Sequence, residues 1–109
     1  MDMSRTATRE ARDRELLAGL EEAARTLGFT VRTERGSFRS GRCRSRDEQL
    51  IILNRRLSLH DRSLVLARIL AGEDLERAFL LPAVREQITR LAAGGREVQK
   101  EPEAREEAS

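Results

Sequence analysis

Two side chains in this sequence have the chemistry of a nucleophile and a general base: Cys43 is its one cysteine and His60 its one histidine. A thiol beside an imidazole and flanked by guanidinium groups would be activated as a thiolate, and Arg42 and Arg44 flank Cys43. Neighbouring residues in a strand point to opposite faces, however, so both arginines would lie away from the sulfur. Cys43 is expected as a small core residue, and His60 as an exposed residue in the first turn of a helix. One cysteine and one histidine fall short of the four protein ligands of a structural zinc site. Gly36 to Gly41 has the first spacing of a phosphate-binding loop, but Arg42-Cys43 stands where Lys-Ser or Lys-Thr is required. The carboxylate pairs Glu21-Glu22 and Glu73-Asp74 fall on solvated helix ends or faces, which form no cleft to separate an acid from a base. No catalytic residue, metal or cofactor is expected, and the chain reads as a protein that is not an enzyme.

The elements that would position these residues follow from periodicity. Leu16, Leu17, Leu20, Ala23, Ala24 and Leu27 recur three or four apart, which makes one helical stripe within Asp13 to Leu27, with Gly28 as a left-handed stop and Phe29 folding back. Phe29, Val31 and Thr33 alternate with polar neighbours as a half-buried strand does, and Gly36 to Gly41 reads as the turn after it. Arg42, Arg44 and Arg46 alternate with Gly41, Cys43 and Ser45, so a strand here sends three guanidinium groups to one face. Leu50-Ile51-Ile52-Leu53 is apolar on both faces, a strand covered on both sides, entered through a turn at Asp47-Glu48. Ser58 is placed to cap a helix over Leu59 to Ala71 with Asp61 near its positive end, before Gly72. Asp74 to Leu81 suits a short helical segment, and Pro82 the first turn of a last helix bearing Val84, Ile88 and Leu91. The predicted fold is α+β: a three-stranded antiparallel meander packed against an N-terminal helix and two C-terminal helices.

Composition sets the scale. The chain has 109 residues, of which 28 are Leu, Ile, Val, Phe or Met, enough for one modest core. Residues 10–94 are expected to form that domain, with 1–9 disordered and 95–109 a disordered acidic tail, since the tail offers only Val98 against the entropy of ordering. Met1 to Glu15 lacks the apolar stretch of a signal peptide, and the longest apolar run, Ala78 to Val84, is too short to cross a bilayer, so the expectation is a cytoplasmic protein without a membrane span.

Three segments carry a resemblance: Gly41-Arg42-Cys43-Arg44, then Leu50-Ile51-Ile52-Leu53-Asn54, then Leu80-Leu81-Pro82-Ala83-Val84-Arg85-Glu86. The pattern resembles a family of short bacterial proteins of unknown function with a G-x-C-R, a strand ending in Asn and a P-x-V-R-E segment, over about residues 12 to 92. The run of a strand ending in Leu-Asn into a helix is also similar, at greater distance, to the core of zinc peptidases of the ImmA/IrrE type. There a His-Glu-x-x-His helix binds zinc and activates water. Here the corresponding segment is Arg68 to Gly72, without ligands or base, so that resemblance implies an inactive metallopeptidase-like shape.

What remains is surface. Residues 32 to 62 carry nine Arg against four acidic residues, a local excess of +5 within a chain of net charge +2. Phe38, Arg42, Arg44, Arg46, Arg55 and Arg56 are the expected contact residues. The expected role is binding, to another protein or to a second copy of the chain, because pairing of the sheet would cover the second side of Leu50 to Leu53. The alternative is a nucleic acid held by the arginine strand face, with Phe38 stacking on a base.

Overall fold

The computed structural model describes residues 3–94 and 98. Its elements are α1 (Met3–Thr26), β1 (Thr30–Glu34), β2 (Gly41–Ser45), β3 (Glu48–Asn54), α2 (Leu59–Ala71), a short 3-10 turn (Leu75–Arg77) and α3 (Pro82–Ala92). The described residues form an α+β fold, with three helices and three strands.

Most local signals act as the side chains dictate. Gly28 takes φ +100°, and the Phe29 and Gly28 N–H groups donate to the Ala24 and Arg25 carbonyls at 3.0 and 2.9 Å, a Schellman stop to α1. The Ser58 hydroxyl accepts from the Asp61 N–H at 3.1 Å to start α2, and Pro82 opens α3. Leu17, Leu20, Ala23 and Ala24 of α1, with Leu27 just after it, are buried against Leu64, Leu66, Ala67 and Leu70 of α2, Ile88 of α3 and Phe29, Ile51 and Leu53 from the sheet side. Each large side chain so buried contributes about 1.5–3 kcal/mol.

Three expectations are corrected. The sheet is mixed: its order is β1-β3-β2, with β1 parallel and β2 antiparallel to β3. After β1 the chain passes the end of β3, a gap of about 10 Å for two strand spacings, and returns through β2 to fill the middle. The central place of β3 explains its continuous apolar run. Ile51 and Leu53 join the helix-covered core, and Leu50 and Ile52, on the other face, are buried as well. Two-sided apolarity therefore requires no second copy of the chain.

The hairpin turn is Arg46-Asp47, one residue before the expected Asp47-Glu48, since Ser45 pairs with Glu48. Helix α1 begins at Met3, ten residues ahead of the expected start at Asp13. Residues 5–12 are exposed, so the extension rests on local terms: a sequence rich in Ala, Arg and Glu, and the 3.1 Å pair of Arg14 with Glu10 one turn away. The expected acidic tail lies outside the described residues, except Val98, which is buried in the helix-sheet core.

Candidate functional site

Cys43 and His60 are kept apart by the sheet. Cys43 pairs with Leu50, on the face away from the helices, whereas His60 lies in the first turn of α2 and faces Asp13 of α1 at 4.0 Å. Arg42 and Arg44 pair with Ile51 and Gln49 and share the helix-side face, so they point away from the sulfur. No group of three or more His, Cys, Asp or Glu residues among the described residues could hold a metal ion. Arg68 to Gly72 occupies the last turn of α2, and no helix among the described residues is long and apolar enough to cross a membrane.

The six expected contact residues fall into two groups at opposite ends of β3. Arg44 and Arg46 stand at the hairpin end and are exposed. Arg46 lies beyond the strand, at φ 56°, so the three arginines of β2 make no single stripe. Arg42 is engaged within the fold: its guanidinium binds Glu73 and the Gln49 side chain, and lies 5.2 Å from the centre of the Phe29 ring. It fastens β2 to the end of α2.

Phe38, Arg55 and Arg56 belong to the other end, where β1 and β3 finish side by side. Phe38 is only 4% exposed, so it offers no face for a base to stack on. Gly36 is shaped to it, for a Cβ there would stand 3.0 Å from the ring. The organiser of this end is Asn54, last residue of β3 and fully buried. Its amide donates to the Gly36 carbonyl at 3.0 Å and the Phe38 carbonyl at 2.7 Å, and its Oδ1 accepts from the Arg56 N–H at 3.0 Å. The Asn54 N–H donates to the Ser40 hydroxyl at 2.7 Å, and the Arg55 N–H to the Glu34 carbonyl at 2.8 Å.

Loops 35–40 and 55–58 are thus stitched into one surface. Arg62 braces the second of them, its Nε donating to the Leu57 carbonyl at 3.0 Å. Burial, and after it the charge of Arg55, lower the pKa of that guanidinium, with Glu21 acting in the opposite sense. Arg35 and Arg39 join Arg55 and Arg56 here. Sequence reasoning passed over Arg35, although neither loop contains a carboxylate to offset it.

It also passed over Phe79. The Leu80 N–H donates to the Ala78 carbonyl at 2.9 Å, closing a γ-turn with Phe79 at its apex. Phe79 reaches 104% of its reference exposure and Leu81 71%. The signal was the apolar run Ala78 to Val84, which periodicity alone assigns to no face.

No family model, curated protein or solved structure matches this chain.

Proposed function

We propose that the chain is a non-enzymatic binding protein that engages another protein through the turn bearing Phe79 and Leu81. The observation that carries this reading is the full exposure of Phe79, held at the apex of a hydrogen-bonded turn, while Phe29 and Phe38 are buried. Single exposed apolar residues are ordinary on protein surfaces. Here an aromatic ring and a leucine stand two residues apart on backbone fixed between the 3-10 turn and α3. Aromatic side chains are enriched at the buried centres of interfaces, and the area Phe79 would bury on a partner is worth about 1.5–3 kcal/mol.

The reading keeps binding as the activity and moves its centre from the arginines of β2, one of which the fold already uses, to an apolar contact. A photoreactive phenylalanine derivative placed at position 79 of the full chain, in its native cell, should form one discrete protein adduct. The adduct should have the mass of the chain joined to a different protein; the mass of two copies of the chain would point to self-association instead. The same group at Arg12, on the exposed start of α1, should form none. Identical adducts from both positions, or none from position 79, would overturn the proposal.

A further inference from the structure

We infer that the end of the sheet bearing Arg35, Arg55 and Arg56 is a second binding surface, fitted to the phosphodiester backbone of a nucleic-acid duplex. Three guanidinium groups, those of Arg35, Arg55 and Arg56, come from loops 35–40 and 55–58, which contain no Asp or Glu, while Arg39 of the first loop is already engaged. Glu34, the nearest carboxylate along the chain, pairs with Arg32 at 3.4 Å. Arg35, Arg55 and Arg56 are exposed and Arg39 half-buried.

A loop pair of this charge is self-repelling and would spread if its backbone were loose. It is fixed instead. Asn54 binds residues 36, 38 and 56 at once, Arg55 continues the hydrogen bonding of β3 onto Glu34, and Arg62 holds residue 57. Buried polar bonds spent on holding like charges together favour an anionic ligand, and a guanidinium fork matches a phosphate with two parallel N–H donors.

The class of polyanion follows from what accompanies the arginines. Single-strand binders combine a basic groove with aromatic platforms for the bases, and the one aromatic residue of these loops, Phe38, is buried. Contact with phosphates alone suits a duplex, whose bases are already stacked, and it carries no sequence preference. This surface is distinct from the Phe79 turn, and its fate does not depend on that of the proposed protein contact.

The test is fluorescence polarisation of a short labelled DNA duplex titrated with the full chain. Three phosphate contacts give a slope of log K against log salt of about −2.7, a loss of about 40-fold between ~50 and ~200 mM salt. Arg55→Gln with Arg56→Gln should cut the slope to about −0.9, which reduces the loss to about 3.5-fold. Arg44→Gln with Arg46→Gln, at the other end of the sheet, should leave the slope unchanged. Thermal melts monitor folding; should the loss of Arg55 disturb it, Arg35→Gln with Arg56→Gln makes the same measurement. An unchanged slope in the loop variants, an equal fall in the β2 variants, or no binding would overturn the inference. So would tighter binding of a single strand, or competition by polyglutamate equal to that by unlabelled duplex.

Discussion

Asn54→Ala should be the most damaging single substitution at the arginine-bearing end. The change removes three side-chain hydrogen bonds, to the Gly36 and Phe38 carbonyls and from the Arg56 N–H. The bond to Phe38 is fully buried, and a carbonyl left without a partner there costs about 1–3 kcal/mol. The other two lie where water can partly replace the amide, and about 0.5–1 kcal/mol each is reasonable. The sum is about 3 kcal/mol, a large part of the stability of a small domain, and it should lower Tm by about 12–24 °C. Urea denaturation followed by circular dichroism measures the loss directly. Arg44→Ala, at an exposed position, serves as the reference. Ser40→Ala, which removes the acceptor of the Asn54 N–H, should fall between the two at about 1–2 kcal/mol. A loss below about 1 kcal/mol for Asn54→Ala, or one equal to the reference, would refute the view that this amide organises both loops.

Two further substitutions should act in the stabilising direction. Arg46 holds φ 56° in the two-residue turn, so Arg46→Gly should raise stability by about 0.5–1 kcal/mol, and an unchanged or lower urea midpoint would contradict it. Ser63 is fully buried in α2 and its hydroxyl has no hydrogen-bond partner, so Ser63→Ala should gain about 1 kcal/mol from lost desolvation and higher helix propensity; a destabilised variant would show that the hydroxyl is satisfied.

The helices and strands were largely legible because their signals are local: the stripe of α1 and the Gly28 stop, the Ser58 cap, the Pro82 start, and the alternation around Val31. Strand order was not. A six-residue connection between β1 and β2 serves equally for a turn between neighbours and for a step past one strand. What separates the two is Asn54, whose amide receives the crossing loop. The continuous apolar run of β3 did carry the answer, since burial on both faces belongs to a central strand. Alternation was also right that Arg42 and Arg44 share a face. Only the pairing of Arg42 with Ile51 reveals that this is the helix side, where Glu73 and Phe29 claim the first of them. The exposure of Phe79 depends on a turn three residues long, beneath the scale at which hydrophobic periodicity operates.

The strand order also bears on how quickly the native state is reached. β2 and β3 are joined by two residues and can zip on the microsecond scale of an isolated hairpin, whereas Thr30 must find Leu50 across 20 positions of chain. A parallel partner that distant adds to contact order and repays its loop closure only after the hairpin exists to receive it. Growth of the sheet is therefore expected to run outward from residues 41–54, with the N-terminal helix and β1 docking together as a late unit.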